Sequence, residues 1–141
     1  MSLNTNTSSL INIAARKLSS KLQEKLIINN LNISIEQWRL LYYLWDKDGI
    51  NQLELATIAN KEKSTITRQI AELEKKEFII RIAGNIDKRN KLIYVTKKGK
   101  LIKEKALSLA NQITKDCEKR INKDELKIFK KVLNEIIEYT D

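Results

Sequence analysis

Apolar residues recur at helical spacing through most of this chain. Leu10, Ile13, Ala14, Leu18 and Leu22 follow the 3.6-residue period and predict a helix over about 10–28, which Asn29 and Asn30 then break. Ser34 with Gln37 forms a capping box, opening a helix over about 35–47 that turns Leu40, Leu41 and Leu44 inward. Residues 46–49 read as a turn, with Gly49 taking the left-handed cap. Asn51 with Glu54 makes a second capping box for a short helix through Leu53, Leu55, Ala56, Ile58 and Ala59, and residues 60–62 form the next turn. A helix over 63–76 buries Ile66, Ile70 and Leu73. The pattern then changes. Residues 78–82 and 92–95 are rich in β-branched and aromatic side chains and read as strands, paired as a hairpin through the Gly84-Asn85 turn. Thr96 caps a long helix over about 97–119 carrying Leu101, Ala106, Leu109 and Ile113. Asn122 and Glu125 give a third capping box, and the last helix carries Leu126, Phe129, Leu133, Ile136 and Ile137.

This order predicts a mainly α fold with a small β-hairpin: a winged helix-turn-helix flanked by N- and C-terminal helices. The whole of 1–141 reads as one domain, with a winged-helix lobe over about 34–96 and flanking helices over about 8–30 and 97–140. Those flanking helices are too apolar to be solvent-exposed tails. Their simplest partner is their own copy in a symmetric dimer, which makes them dimerisation helices; packing on the lobe of the same chain is the other solution.

Composition narrows the chemistry. The chain has no Pro and only 3 Gly in 141 residues, so little interrupts its helices. No apolar run approaches the ~18 residues that cross a bilayer. The first nine residues lack the basic and apolar regions of a signal peptide, and the single cysteine suits a reducing compartment, so a cytoplasmic location without a membrane partner is expected. The absence of His removes the usual general base, the His-dependent nucleophilic triads and any imidazole zinc site. No glycine-rich phosphate loop is present either. Neither an enzyme nor a metal or cofactor site is expected.

Charge adds a direction. Between Lys61 and Lys105 stand 14 Lys or Arg against 6 Asp or Glu, a local balance of +8 in a chain of net +9. Basic charge concentrated on a helix-turn-helix and hairpin is the footprint of a double-stranded DNA binder. On the 63–76 helix, Ser64, Thr67, Arg68 and Ala71 form a stripe opposite the apolar one. Arg68 suits guanine, Ser64 and Thr67 suit a base edge, a thymine methyl or a phosphate, and Ala71 permits a deep approach. Lys63 joins this set at the helix start. In the hairpin, Arg89 suits a narrow minor groove, and Asp87 is expected to hold a guanidinium in aim, that of Arg89 or of Arg81. Lys88 and Lys91 are expected to contact phosphate. The competing reading is a winged-helix module that docks on a protein without specific DNA binding.

At this point a resemblance becomes specific. Residues 52–56 (Gln-Leu-Glu-Leu-Ala), 64–68 (Ser-Thr-Ile-Thr-Arg) and 73–76 (Leu-Glu-Lys-Lys), the Asp87-x-Arg89 pair, Val95-Thr96-x-x-Gly99 and Ile35-x-Gln37-Trp38-Arg39-x-Leu41 resemble the MarR family of bacterial transcriptional regulators. The resemblance runs from about Leu10 to Tyr139. It implies a homodimer joined through its terminal helices, acting, typically as a repressor, on a pseudo-palindromic operator with half-sites one helical turn apart, roughly 34–36 Å. It assigns Ser64, Thr65, Thr67 and Arg68 to the major groove, and Asp87 and Arg89 to the wing contact. It also implies a small aromatic effector held between the dimer helices and the DNA-binding lobe. Trp38, Tyr42 and Trp45, with Tyr43 beside them, are the candidate lining, against the plainer reading of an aromatic core stripe. Two departures stand out: the 60–62 turn leaves Glu62 as a weak cap, and Glu77 replaces the glycine that ends the recognition helix, leaving that exit open. The family's oxidant-sensing branch carries its cysteine near the N-terminus, so Cys117 is expected to be an interface or core thiol.

Overall fold

The computed structural model describes residues 5–84, 86 and 90–141. Its elements run α1 (Thr7–Ile28), α2 (Ile35–Asp46), β1 (Ile50–Asn51), α3 (Gln52–Ala59), α4 (Lys63–Lys75), β2 (Ile79–Ala83), β3 (Lys91–Val95), α5 (Lys97–Leu101), α6 (Lys103–Glu118) and α7 (Lys123–Thr140). This is the winged helix-turn-helix with flanking helices that the hydrophobic pattern predicts.

The caps form where the side chains place them. Ser34 and Gln37 close the capping box of α2, and Asn51 and Glu54 close that of α3. Thr96 accepts from the Gly99 N–H to start α5, and Asn122 accepts from the N–H groups of Asp124 and Glu125 to start α7. Glu62 precedes α4 without a side-chain cap hydrogen bond.

Helix ends carry the mark of a glycine-poor chain. Asn30, Asn60 and Glu77 all have positive φ, at 58°, 50° and 67°. Each sits in the same paired arrangement. Leu31 N–H donates to Leu26 O and Asn30 N–H to Ile27 O; Lys61 N–H donates to Ala56 O and Asn60 N–H to Thr57 O. Phe78 N–H donates to Leu73 O and Glu77 N–H to Glu74 O. These are Schellman closures, which satisfy the last carbonyls of a helix and favour glycine at the left-handed position. The exit that the sequence left open is therefore made with Glu77 in the left-handed region. Gly49, at φ 72°, takes the left-handed cap expected of it.

The sheet has three strands in the order β1-β3-β2, all antiparallel. Ile79 pairs with Val95, Arg81 with Ile93 and Ala83 with Lys91. On the other edge, Ile50 pairs with Ile93. Asp48 extends this edge by accepting from Val95 N–H through Oδ2. The core joins α1 to the lobe: Leu26, Leu41, Leu44, Leu55, Ile66, Ile70, Leu73, Ile79 and Ile93 are fully or almost fully buried. One expected helix divides, at Ile102, into α5 and α6.

The terminal helices differ from the lobe. On α7, no residue is buried, while Ile128, Phe129, Val132 and Ile137 lie exposed. On α1, Leu10, Ile11 and Leu18 are likewise exposed, whereas Leu22 and Leu26 reach the core.

Candidate nucleic-acid interface

α4 is amphipathic by sequence, and its apolar stripe of Ile66, Ile70 and Leu73 is sealed against the lobe. That seating fixes what faces outward. Lys63, Ser64, Thr67, Arg68 and Ala71 are exposed, and Thr65 is half-buried. Among the described residues Arg68 enters no ion pair, so its guanidinium projects with its donors available. Thr67 is more constrained. Its hydroxyl donates to Lys63 O and accepts from Nε2 of Gln52, the first residue of α3.

The base of the wing is fixed to the same helix. Glu74 on α4 accepts from Arg81 Nε at 3.2 Å, from Arg81 Nη2 at 2.8 Å and from the Arg81 backbone N–H at 3.2 Å. The hydrogen bonds and charge of Arg81 hold the Glu74 carboxyl below its usual range, against the opposing effect of burial. The same pairing raises the already high value of Arg81. Arg81, one of the two expected partners of Asp87, is thus engaged by Glu74. Lys91 is exposed at the start of β3, opposite Ala83. Asp87, Lys88 and Arg89 lie outside the described residues.

Residues 33–91 match the MarR family model, over the segment that holds this recognition helix and hairpin. This match covers 59 of the 141 residues, those of the lobe. The chain is similar to the organic hydroperoxide resistance transcriptional regulator of Bacillus subtilis (strain 168), at 29% identity over 91 residues, 64% of this chain. The matched part spans about three fifths of that relative, 62% of its length. Wild-type apo MarR from E. coli superposes with a TM-score of 0.80 at 24% identity, covering 93% of this chain and 96% of that one. CouR from Rhodococcus jostii RHA1, solved with bound p-coumaroyl-CoA, superposes with a TM-score of 0.79 at 19% identity, over 96% and 94% of the two chains. Both likenesses establish the MarR-type fold.

Within this MarR-type fold the aromatic residues of α2 divide. Trp38 and Tyr42 stack, with centroids 5.3 Å apart and planes at 26°. Tyr42 and Trp45 share a cleft of about 510 Å³ with Tyr43, Asp46, Lys103 and Leu107, and Trp38 is not on its wall. Trp45 is anchored by Nε1 donating to Gly99 O at 3.1 Å. Tyr42 is 50% exposed, whereas Trp38, Tyr43 and Trp45 are partly buried and pack against the core. Cys117 is exposed on α6, which corrects the core half of its expected placement. Among the described residues no cluster of His, Cys, Asp or Glu has the makings of a metal site, and no helix is long and apolar enough to cross a membrane.

Several residues gain importance only in three dimensions. Gln37, 2% exposed, donates to Glu72 Oε2 at 2.8 Å and accepts from Lys76 Nζ at 2.7 Å and from Ser34 N–H. The capping box that marks Gln37 in the sequence therefore also ties α2 to the recognition helix. Gln52 carried no signal beyond its place in the 52–56 motif at a helix start, and Lys103 none beyond its charge.

Proposed function

We propose that this chain is a cytoplasmic, homodimeric regulator of transcription that represses by occupying a pseudo-palindromic DNA operator. The observation that carries this reading is the sealed-in α4, whose outward stripe of Ser64, Thr67 and Arg68 stands within the most basic segment of a MarR-family lobe. Arg68 takes a guanine edge in the major groove, and Ser64, Thr65 and Thr67 complete the contact surface. The first-turn N–H groups of α4, left without an acceptor from Glu62, meet phosphate with Lys63. Asp87 and Arg89 make the minor-groove contact of the wing, while Lys88 and Lys91 neutralise phosphates.

The dimer is supported by α7, an 18-residue helix on which no residue is fully buried and Ile128, Phe129, Val132 and Ile137 are exposed. Most helical stability in proteins comes from packing an amphipathic face, so its apolar stripe needs a covering surface. Residues 34–96 then form the reading lobe, and residues 8–30 and 97–140 the dimerisation helices. The cleft at Tyr42 and Trp45 is proposed to take a small aromatic effector, as CouR takes p-coumaroyl-CoA. Trp38 acts there by backing Tyr42. Effector binding between lobe and dimer helices lowers DNA affinity by favouring a different lobe separation.

Salt dependence of duplex binding tests the central claim. Phosphate contacts give a log–log slope that steepens by about 0.9 for each phosphate neutralised. A flat dependence, or no binding at low salt, replaces this reading with the protein-docking module.

A further inference from the structure

Thr67 stands in the middle of the exposed α4 stripe, yet its hydroxyl faces the protein. A threonine hydroxyl has one proton, and here that proton goes to Lys63 O at 2.8 Å. The atom of Gln52 that meets Thr67 Oγ1 must therefore be a donor, which fixes the Gln52 amide with Nε2 toward α4. Two consequences follow. With its one proton given to Lys63 O and a lone pair taken by Gln52, Thr67 has no donor left for a base, and its γ-methyl is the apolar group it can offer. Gln52, half-buried at the N-terminus of α3, keeps one N–H and its Oε1 without a partner among the described residues. An N–H beside a C=O is the complement of adenine, which presents N7 as acceptor and N6–H as donor in the major groove.

We propose that Gln52 and Thr67 form a two-residue reading unit for a thymine next to an adenine on the major-groove edge. Thr67 packs its methyl on the thymine C5-methyl, and Gln52 makes a bidentate contact to the adenine. Gln52 is thus a specificity-determining residue contributed by the helix before the recognition helix, and Thr67 discriminates by apolar contact. The unit rests on α4 lying in a major groove, as proposed above.

The test is selection from a random duplex pool by the wild-type protein, followed by affinity measurements on the selected duplex. Four proteins are compared: wild type, Gln52→Ala, Thr67→Ser, which keeps the hydroxyl and drops the methyl, and Thr67→Val, which keeps a methyl and drops the hydroxyl. Circular dichroism melting confirms that each is folded. Gln52→Ala should lose the adenine preference at one position per half-site by tenfold or more, the other positions keeping theirs. Replacing the contacted thymine with uracil removes only the C5-methyl. It should weaken wild type about fourfold, leave Thr67→Ser unaffected, and weaken Thr67→Val as it does wild type. Thr67→Val should also relax the adenine preference, because Gln52 loses its anchor. Unchanged base preferences in Gln52→Ala overturn the adenine contact, and equal uracil sensitivity in Thr67→Ser overturns the methyl contact. If wild type enriches no sequence while all four proteins fold, the DNA-reading function itself fails, and the unit with it.

Discussion

Glu74 and Arg81 join the recognition helix to the wing. The Glu74 carboxylate receives the guanidinium of Arg81 through Nε and Nη2 and also its backbone N–H, so one side chain fixes where β2 leaves α4. The pair couples two parts of the proposed DNA-binding surface: α4 cannot tilt without carrying the base of the hairpin.

The same pair sets a pH dependence. Glu74 is held below its ordinary range in the folded chain, so its contribution is complete above the unfolded carboxylate range. That contribution is lost as pH falls through the folded value. Both side chains are about one third exposed, which limits the pair to about 1 kcal/mol. Glu74→Gln is therefore expected to lower stability in urea by up to about 1 kcal/mol at pH 7, and the two proteins should converge in acid. An undiminished gap at acid pH would show that the charge of Glu74 is not the source.

Glu77 closes α4 in a conformation that costs a side chain about 1–2 kcal/mol relative to glycine. Its backbone carbonyl accepts from Thr96 Oγ1 at 2.6 Å, and its carboxylate reaches Lys98 only at 4.0 Å and largely exposed. The backbone role survives substitution, and the exposed ion pair is weak. Glu77→Gly should stabilise the fold by about 0.5–1 kcal/mol, after allowing for the added freedom of the unfolded chain. The urea midpoint measures it; a lower midpoint means that Lys98 matters more than strain.

Gly99 illustrates the opposite constraint. A Cβ there would stand 2.2 Å from Phe78 O and 2.7 Å from Val95 Cγ1. The first of these is backbone, so no side chain can swing aside. Gly99→Ala should cost about 3 kcal/mol, at the upper end of overpacking, and loosen the Trp45 anchor on Gly99 O. Urea unfolding gives the first effect, and a change in tryptophan emission gives the second. A wild-type midpoint would show that α5 shifts freely.

The elements that sequence reading finds are those encoded locally. Ser34 with Gln37, Asn51 with Glu54, and Thr96 with Gly99 lie within four residues of each other, and each cap formed as read. What sequence reading missed is encoded at long range. β1 is two residues long, and Ile50 becomes a strand residue only because Ile93 pairs with it. The Glu74–Arg81 and Gln52–Thr67 contacts each bridge two elements, so no periodicity announces them. Nothing at Leu101 or Ile102 marks the break between α5 and α6. For the candidate site, the exposed stripe was legible because Ile66, Ile70 and Leu73 dictate the opposite face. The direction of the Thr67 hydroxyl was not, because it depends on a donor from another helix.

The terminal helices yield a test of assembly. Phe129 is 53% exposed in the middle of α7, flanked by exposed Ile128 and Val132. A carboxylate at its position would oppose burial in an apolar interface without disturbing the lobe core. Phe129→Asp should halve the mass seen by sedimentation equilibrium at low micromolar concentration. Operator affinity should fall by at least tenfold, because one lobe loses its tethered copy. A protein that keeps both its mass and its affinity places the interface elsewhere.

Arg68, Lys91 and Arg89 are proposed to play different parts on the duplex, and one pair of measurements separates them. A base-reading arginine adds discrimination, so Arg68→Ala should cost about 1–3 kcal/mol on the selected operator and much less on random duplex. A phosphate-binding lysine adds affinity without sequence, so Lys91→Ala should weaken both duplexes alike and make the salt slope shallower by about 1. Arg89→Ala, which removes the proposed minor-groove arginine, should cut operator affinity severely while leaving dimerisation intact. Gel shifts at two salt concentrations on operator and random duplex distinguish these outcomes. Equal weakening of both duplexes by Arg68→Ala would make Arg68 a phosphate binder, and an unchanged Arg89→Ala would remove the wing from the interface.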